Sequence, residues 1–416
     1  MKKIEKEIIE QKNCRICGSS KPKMFLSLGS MPPPNMFPQK EQLKNEPFYP
    51  LDVSFCKNCG LVQLKHVVHP DIMFRDYIYV TSASQTMIKH LANLAEKTAK
   101  RFKVQPNSLV VDIGSNDGTF LSHFKKFKVR TLGIDPAENL KDVAKSKGIE
   151  NIVALFSNRI ANLVSRKYGK AKVITAINVV AHAGNLDDFF KGIKTLLSEN
   201  GVFIAEFPYL VDLVEKDEFD TIYHEHLSYF SIKPLLLILE KYNLELFGVK
   251  RIPIHGGSIR LLIRHSRNKQ KYPHPVKELL NLEEKIGLYN LDTYRNFAER
   301  VEKKKEDLLK LLRSLKSQGK KIVGYGAAAK GNILLNFCGI GPETLSYIVD
   351  SIPAKQGKVT PGTHIPIYPE KKLLEDMPEY ALLLAWNFAD EILGKNTQYK
   401  KQGGKFILIV PEIKIL

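Results

Sequence analysis

Two cysteine pairs of identical spacing stand near the start of this chain. Each pair has two intervening residues and a following glycine, and the cysteines are Cys14, Cys17, Cys56 and Cys59. Four thiolates in two such pairs match the ligands of a closed tetrahedral zinc site. Four protein ligands leave no open coordination position, so the predicted zinc is structural rather than catalytic. Two redox pairs or two disulfides are the alternative, but neither pair follows a strand and opens a helix as a redox pair does.

A glycine turn after an apolar segment is the second candidate site. Glycines there let a ligand approach the backbone at the carboxyl end of a strand. The spacing differs from the dinucleotide fingerprint, and the aspartate before the first glycine suits a ligand with a cationic amino-acid end. The turn resembles that of class I S-adenosylmethionine methyltransferases, and a degenerate nicotinamide-dinucleotide fold is the alternative. The resemblance implies donor-binding roles for Asp112, Gly114, Asn116, Asp117, Gly118, Asp135, Pro136 and Asn178.

A third cluster is dense in ionisable side chains. Residues 223–229 hold two histidines, a glutamate and two tyrosines. Such groups shift one another's pKa and can do acid–base chemistry. A metal site at the two histidines lacks an evident third ligand, and a polar turn with histidines bonded to backbone is the other alternative. His182, after the fourth predicted strand, adds an ionisable group at the ligand-binding edge, where a lone histidine also suits a structural role.

The last candidate site is a turn of small residues over 324–332 that opens a predicted helix. Free backbone N–H groups at a helix N-terminus bind anions, and Lys330 would add a positive charge. The spacing differs from the Walker motif, which argues against ATP hydrolysis. Close packing of strand on helix is the alternative. We predict a nucleotide diphosphate as the ligand.

The elements that must position these residues are of α/β type. After residue 107, apolar strands alternate with helices, which predicts a doubly wound parallel sheet. We expect strands at 108–114, 129–135, 152–156, 173–179 and 202–207, and helices at 119–127 and 138–147. A hairpin follows at 245–265. A long amphipathic helix at 289–317 is expected to act as a spacer.

A second, smaller α/β pattern follows the spacer, with strands expected at 321–326, 345–350, 381–385 and 406–410. We therefore expect three domains. Residues 1–75 form a zinc-binding module, with a proline-rich loop between its cysteine pairs. Residues 76–288 form a methyltransferase domain of the Rossmann-like type. Residues 289–416 form the spacer and a smaller Rossmann-like domain.

Composition limits the partners. The chain is 44% apolar and 26% charged, which is ordinary for a soluble globular protein. No apolar run approaches the ~20 residues of a membrane span, and the N-terminus lacks the apolar core of a signal peptide. Most cysteines are assigned to metal, which is typical of a reducing compartment. We expect a cytoplasmic protein with no membrane partner.

The net charge of +19 allows binding of nucleic acid, an anionic membrane or a phosphorylated substrate. The lysines are spread along the chain, and no arginine–aromatic interleaving of the single-strand-binding kind is present. We therefore expect no nucleic-acid partner and interpret the charge as favouring a phosphorylated small molecule.

Taken in chain order, the motifs resemble those of the three-domain, zinc-containing sugar C-methyltransferases. They are the two cysteine pairs, Asp-Ile-Gly-Ser-Asn-Asp-Gly, Tyr-His-Glu-His-Leu-Ser-Tyr-Phe, His-Gly-Gly-Ser-Ile-Arg, Gly-Tyr-Gly-Ala-Ala-Ala-Lys-Gly-Asn and Ala-Trp-Asn-Phe-Ala-Asp. That family is best known for C-3′-methylation of TDP-keto-sugars. The resemblance covers nearly the whole chain. It implies S-adenosylmethionine as methyl donor and a nucleotide-linked 4-keto-deoxysugar as partner.

The resemblance also implies roles for individual residues. The base is His226, near its unperturbed pKa of about 6.5, and it removes a proton beside the ketone. Tyrosine and protonated histidine then stabilise the enolate, which attacks the donor methyl group without help from a metal. The implied active-site residues are Tyr77, His182, Tyr223, Glu225 and His226, and Tyr79 competes for the Tyr77 position. The implied substrate-binding residues are Tyr325, Lys330, Asn332 and Asn387.

Two other functions compete with this interpretation. One is a zinc-containing RNA or protein methyltransferase, and the other is a noncatalytic binder of nucleotide sugars with a decayed donor site. The intact glycine turn and the second Rossmann-like unit argue against the noncatalytic binder. Methylation at C3 is the default and C5 the alternative. The sequence leaves the sugar stereochemistry, the nucleotide base and the oligomeric state open, and we expect a monomer.

Overall fold

Four β-sheets organise residues 7–266 and 273–416, the part of the chain described by the computed structural model. The first residues form a small antiparallel module in which β2, β3 and β4 share a sheet and β1 pairs with β5. The Cys56 pair lies in the turn that joins β3 to β4. The elements are β1 (Ile8–Glu10), β2 (Lys23–Met31), β3 (Tyr49–Phe55), β4 (Val62–Leu64), β5 (His66–Val68) and α1 (Pro70–Phe74).

The central unit is a seven-stranded sheet flanked by helices. The helices and first strands are α2 (Gln85–Arg101), β6 (Leu109–Ile113), α3 (Thr119–Ser122), β7 (Arg130–Asp135), α4 (Lys141–Ser146), β8 (Glu150–Val153), α5 (Asn158–Tyr168), β9 (Ala171–Ile177) and α6 (Leu186–Leu196). The rest are β10 (Leu197–Pro208), α7 (Leu210–Glu215), β11 (Ser228–Tyr229), α8 (Ile232–Lys241), β12 (Leu244–Ile252), β13 (Ser258–His265) and α9 (His274–Ile286).

The strand order of this sheet is β12-β13-β10-β9-β6-β7-β8, and β13 alone among these strands runs against its neighbours. All five residues of β6 are buried, as expected for a parallel strand covered on both faces. The chain leaves β6 and β9 toward opposite edges of the sheet, so a topological switch point lies between them. Ligands bind at the carboxyl ends of strands at such a point. The predicted α/β fold and its doubly wound sheet are confirmed.

The helix predicted at 119–127 is shorter than expected. The chain forms α3 and then a 3-10 turn at Lys125–Phe127. Phe120 and Phe124 are four residues apart, and their ring centroids lie 5.3 Å apart. Winding that tightens to 3-10 is frequent at helix ends. The helix begins at the predicted residue, Thr119, but ends earlier than predicted.

The third unit has a six-stranded sheet of order β16-β15-β14-β17-β18-β19. Its strands are parallel except for β19, and a switch point lies between β14 and β17. The elements are α10 (Leu291–Ser317), β14 (Ile322–Tyr325), α11 (Ala329–Cys338), β15 (Ile348–Asp350), β16 (Ile367–Pro369), α12 (Lys372–Asp376), β17 (Tyr380–Leu383), α13 (Ala389–Lys395), α14 (Thr397–Lys401), β18 (Lys405–Leu408) and β19 (Lys414–Ile415).

The long helix α10, which was expected to act as a spacer, also packs against the first unit. Tyr294 of α10 is buried, and its ring lies 5.0 Å from the ring of Phe25 and 4.8 Å from that of Phe55. Both phenylalanines belong to the sheet of the zinc-binding module. The apolar stripe that predicted an amphipathic helix thus joins the first unit to the third.

A strand of the central unit completes the sheet of the zinc-binding module. The four-stranded order is β11-β4-β3-β2, with Ser228 opposite Gln63 and Tyr229 opposite Val62. The strand β11 begins two residues after His226. The zinc-binding module therefore holds the backbone of the ionisable segment at 223–229.

In the described parts of the chain, no helix combines the length and the apolar character that crossing a bilayer requires.

We expect Cys56→Ser to lose zinc and to unfold at a lower temperature than the parent protein, because metal binding contributes to folding free energy. The metal content by elemental analysis and the melting temperature by calorimetry test this. Cys338→Ser is the matched control, since Cys338 is buried in α11 away from the cysteine cluster. It should keep one zinc per chain. Equal zinc content in Cys56→Ser and Cys338→Ser would contradict the assignment.

Candidate active site

The four predicted metal ligands come together. The Sγ atoms of Cys14, Cys17, Cys56 and Cys59 all lie within 4.8 Å of one another. The Cys14–Cys59 pair is 3.4 Å apart and the Cys17–Cys56 pair 3.6 Å apart. Ligands at about 2.3 Å from a tetrahedral zinc ion lie about 3.8 Å from each other. The donor set and its spacing therefore fit structural zinc.

A cavity of 610 Å³ lies where the three units meet. Its wall includes Asn35 of the first unit, Asp112 and His226 of the second, and Tyr325 and Asn387 of the third. A volume of this size accommodates a ligand of a few hundred daltons or more. Of the residues predicted for catalysis and donor or substrate binding, the cavity wall includes Tyr77, Asp112, Gly114, Asn116, Asp135, Pro136, Asn178, His182, Tyr223, His226, Tyr325, Lys330 and Asn387.

Two buried carboxyl groups mark the end of the cavity at the central switch point. Asp112 accepts a hydrogen bond of 2.6 Å from the Thr175 hydroxyl, and burial raises the pKa of Asp112 to about 7. Asp135 ends β7 and accepts the backbone N–H of Asn116 at 2.8 Å, while burial raises its pKa as well. Within residues 7–266 and 273–416, neither carboxyl group has a salt-bridge partner. Their environment therefore fits a ligand that brings a cation and hydroxyl groups, as S-adenosylmethionine does.

Gly114 lies in the cavity wall in a left-handed conformation that favours glycine. Its φ is +69°, and a Cβ there would collide with the side chain of Val179. Asn116 also has positive φ, at 51°, and its side chain accepts the backbone N–H of Thr81 at 2.9 Å. Asn178 has φ of 58° at the end of β9. The turns after β6 and β9 are thus held in conformations that expose backbone to the cavity.

Asp117 and Gly118 lie behind the cavity wall. Asp117 is buried and forms a salt bridge of 2.6 Å with Lys147. Gly118 has φ of +74° and caps α3. These two residues shape the turn, and direct donor contact for them stays a prediction without support from the cavity.

The tautomer of His226 follows from its hydrogen bond. Nδ1 lies 2.8 Å from the carbonyl oxygen of Thr221, and a carbonyl can only accept. Nδ1 therefore carries the proton, and Nε2 is the unprotonated nitrogen. Burial, with a smaller effect of the neighbouring His182, holds the pKa of His226 well below its usual range. The expectation of an unperturbed pKa is wrong, because only 4% of the residue remains exposed.

The rings of His182 and Tyr223 both lie close to the ring of His226. The His182 ring is 5.2 Å from the His226 ring, and the Tyr223 ring is 3.9 Å away. Burial lowers the pKa of His182 to about 4, which favours its neutral form. Burial also holds the pKa of Tyr223 well above 10, so Tyr223 keeps its hydroxyl proton. The available donors here are neutral.

Glu225 is fully buried and lies beside the cavity rather than in its wall. Its Oε2 accepts the Tyr77 hydroxyl at 2.6 Å, and its Oε1 accepts the Asn35 amide at 2.6 Å. Burial raises the pKa of Glu225 to about 7, against the effect of both hydrogen bonds. Tyr79 lies 6.4 Å from Tyr77, ring to ring, and contacts the cavity too. Of these two tyrosines, Tyr77 is the one that bonds to Glu225.

The third unit adds two buried lysines, Lys330 and Lys355, and several polar groups to the cavity wall. Lys330 donates to the carbonyl of His255 at 3.0 Å, and its ammonium lies 4.2 Å over the Trp386 ring. Burial lowers the pKa of Lys330, and the nearby Asp220 carboxyl opposes that effect. Asn387 donates its amide to Nδ1 of His255 at 3.3 Å.

Two of the other residues predicted for the third unit have protein partners. Tyr325 donates to Glu370 at 2.5 Å, with its ring in the cavity wall. Asn332 donates to the carbonyl of Pro34 at 2.7 Å and lies outside the cavity wall. Asn332 therefore holds the proline-rich loop of the first unit, and ligand contact for it stays a prediction.

Asn35 and His255 are among the cavity residues that sequence reasoning did not assign. His255 has φ of 57° and precedes two glycines of positive φ, so its turn was visible as a motif but its orientation was not. Burial lowers the pKa of His255 to about 3, which leaves it neutral. Asn35 follows the three prolines of the loop and gave no chemical signal in the sequence.

Comparison with known proteins gives matches along almost the whole chain. Three family models match: a zinc binding domain at residues 14–74, a methyltransferase domain at 85–247 and a C-methyltransferase C-terminal domain at 253–411. C-methyltransferase NovU from Streptomyces niveus is 35% identical over 404 residues, which are 97% of this chain and 96% of NovU.

Solved structures match less than half of the chain. Magnesium protoporphyrin IX methyltransferase from Synechocystis PCC 6803 is 13% identical, with a TM-score of 0.34 over 43% of this chain and 83% of that chain. An S-adenosylmethionine-dependent methyltransferase from Anabaena variabilis is 15% identical, with a TM-score of 0.34 over 42% of this chain and 84% of that chain. NovU matches nearly the whole chain, whereas these structures match less than half of it, so the family of this chain is inferred from NovU.

We expect Gly114→Ala to weaken S-adenosylmethionine binding by at least about tenfold, because the added Cβ collides with Val179 and strains a left-handed backbone. Isothermal calorimetry measures the affinity. Gly169→Ala is the matched control. Gly169 has a φ of +87° but nothing within 4 Å of an added Cβ, so this variant carries the same kind of strain at a remote site. Equal loss of affinity in both variants would show that Gly114 acts through stability alone.

Proposed function

The chain belongs to the family of zinc-containing, S-adenosylmethionine-dependent C-methyltransferases, and we propose that its substrate is a TDP-linked 4-keto-deoxysugar. The proposed reaction removes a proton from the carbon beside the ketone and transfers a methyl group to that carbon. The motif resemblance supports C3 as the position. The product would be a branched deoxysugar.

The state of His226 is the observation that carries this proposal. The hydrogen bond from Nδ1 to the Thr221 carbonyl leaves Nε2 free of a proton in a cavity-lining residue. A base that removes a carbon-bound proton must be unprotonated and within reach of its substrate. Burial lowers the pKa of His226, which favours this unprotonated form at neutral pH.

Side chains of this protein would accept the proton removed from the sugar carbon and stabilise the charge that forms on the ketone oxygen. Nε2 of His226 accepts the proton, and the electron pair of the broken C–H bond moves onto the ketone oxygen. The Tyr223 hydroxyl stabilises that oxygen, because its raised pKa keeps it a hydrogen-bond donor. His182 orders the site beside His226 as a neutral ring. Bound S-adenosylmethionine supplies an electrophilic methyl group on a sulfonium.

Separate parts of the chain serve the two ligands in this proposal. Residues 76–288 would bind the donor. This unit includes the hairpin of β12 and β13, because both strands belong to the central sheet. Residues 289–416 would bind the nucleotide at the switch point beside β14. Lys330 supplies positive charge where the two units meet, which suits the diphosphate between nucleoside and sugar. The net charge of +19 would attract such a dianion.

The depth of the base favours a small substrate over RNA or a protein. His226 is 4% exposed, at the wall of an interior cavity. A sugar on a nucleotide can enter such a cavity, whereas a polymer would have to present an extruded group.

A panel of nucleotide-linked 4-keto sugars, incubated with the protein and S-adenosylmethionine, tests the proposal. Mass spectrometry should find a product heavier by one methylene on at least one TDP sugar, with the new methyl on carbon. Transfer to no sugar of the panel, together with methylation of RNA or protein, would overturn the proposed substrate.

We expect His226→Asn to bind both ligands but to lose methyl transfer by about 10²- to 10⁴-fold, the usual contribution of a general base. The variant should also stop exchanging solvent deuterium into the keto-sugar, which isolates proton removal from methyl transfer. Mass spectrometry follows both. His182→Asn is the comparison, because it removes the neighbouring ring and spares the base. If His182→Asn is inactive while His226→Asn keeps the parental rate, His226 is not the base.

We expect the pH dependence of kcat/KM to follow the ionisation of Glu225 rather than that of His226. Burial raises the pKa of Glu225 to about 7, and its ionised form accepts the Tyr77 hydroxyl. At saturating donor, kcat/KM for the sugar should therefore rise with pH through about 7 as Glu225 loses its proton. Saturating donor removes the contribution of Asp112, whose raised pKa falls when a cation binds beside it. In Glu225→Gln this acidic limb should vanish; an unchanged limb would assign it to another group.

A further inference from the structure

Asn35 reaches the methyl-transfer site from another unit. It lies in the proline-rich loop of the zinc-binding module, and its side chain contacts the cavity. Its Nδ2 lies 2.6 Å from Oε1 of Glu225, while the hydroxyl of Tyr77 lies 2.6 Å from Oε2. Each oxygen of this buried carboxylate thus has one donor. A carboxylate only accepts hydrogen bonds, so the amide nitrogen rather than the amide oxygen must face it.

The third unit holds this loop on both sides of Asn35. The Asn332 amide donates to the Pro34 carbonyl at 2.7 Å. Farther along, the ammonium of Lys355 lies 5.0 Å over the Phe37 ring. Both lysine and asparagine belong to the Rossmann-like unit beside the cavity. The position of the Asn35 amide is therefore set by contacts that span the molecule rather than by its own short loop.

Little else stabilises a charge on Glu225. The titratable groups that face it are Tyr77 and Tyr223, and burial holds the pKa of both well above 10. Tyr223 makes no hydrogen bond to Glu225 within residues 7–266 and 273–416. In those residues no lysine, arginine or histidine forms an ion pair with this carboxylate. Neutral donors must therefore offset the cost of burying its charge, and Asn35 is one of two.

We propose that Asn35 is a positioning residue of the active site: its amide keeps Glu225 ionised and directed at Tyr77, and Asn332 keeps that amide in place. The role in catalysis rests on the proposed function, in which Glu225 and Tyr77 belong to the reacting site. The hydrogen-bond chain itself does not depend on the substrate. It links the zinc-binding module, the base-bearing segment and the third unit at one carboxylate.

Thermal unfolding tests the hydrogen bond without any substrate. Parent, Asn35→Leu and Asn35→Gln are melted at about pH 5.5 and about pH 8.5. The Leu variant removes the donor at similar size, and the Gln variant restores a donor. At low pH Glu225 is protonated in every variant, so the loss in melting temperature should be small. At high pH the charge lacks its donor in Asn35→Leu, so the loss should grow. Asn35→Gln should recover part of it.

A control variant shows whether the loss in melting temperature of Asn35→Leu arises only from a structural change. Asn45→Leu changes an exposed asparagine of the same module and should show no pH-dependent deficit. A deficit in Asn35→Leu that is equal at both pH values would overturn the proposal. Should Asn35→Leu fail to fold, Asn35→Asp replaces it, since it keeps the shape and turns the donor into an acceptor. Its stability must then fall as pH rises and the two carboxylates repel; a pH-independent melting temperature would overturn the proposal.

Kinetics test the catalytic part. We expect kcat/KM of Asn35→Leu to fall by about 10- to 100-fold, and its acidic limb to move to higher pH, because loss of a donor raises the pKa of Glu225 further. Affinity for S-adenosylmethionine should not change. Parental kcat/KM with an unmoved limb would overturn the catalytic part. A parent protein that methylates no keto-sugar nucleotide would contradict the proposed substrate, while the melting experiment would still decide the role of Asn35.

Discussion

The pairing of β11 with β4 is the constraint on which the active site depends. A two-residue strand has little stability of its own, and β11 exists because β4 offers it an edge. The turn before β4 carries two of the zinc ligands, so the metal fixes that edge. Leu227 connects the parts: its N–H donates to the Ala181 carbonyl at 2.8 Å, and its carbonyl accepts from Leu64 at 3.0 Å. Structural zinc thereby acts on the backbone that holds both His182 and His226.

Burial, more than ion pairing, sets the charges of this site. It removes the positive charge from the histidines and raises the pKa of Asp112 and Glu225 to about 7. A low-dielectric cavity with neutral bases and poorly compensated acids is costly until its ligands arrive. A cationic donor beside Asp112 and an anionic substrate near Lys330 would each supply the charge that the protein lacks. The site is therefore organised for both ligands together.

The sequence predicted what is local and missed what is distant. Apolar strands with glycine turns predicted both α/β units, because each of these signals lies within a few residues. The two cysteine pairs are far apart in sequence, but each pair is a local signal, and their identical spacing predicted a shared metal site. Asn35 and Glu225 are 190 residues apart, and neither residue type indicates that the other is its partner. The low pKa of His226 could not be predicted either, since it arises from burial by segments that meet only in the folded protein. The same holds for α10, whose apolar stripe indicated a helix but not its partner sheet.

The shared cavity gives a physical reason for three units in one enzyme. In the proposed reaction the reacting group is a small sugar, which offers few contacts for orientation. A nucleoside diphosphate held at the switch point of the third unit adds binding energy remote from the reacting carbon, and that energy can be used to place the sugar against His226. Placement then depends on how firmly the units are joined. The units are joined by the contacts of α10 with the zinc-binding module and by the hydrogen bond from Asn332 to the Pro34 carbonyl. The position of His226 relative to the sugar therefore depends on the contacts between all three units, and not only on the segment that contains His226.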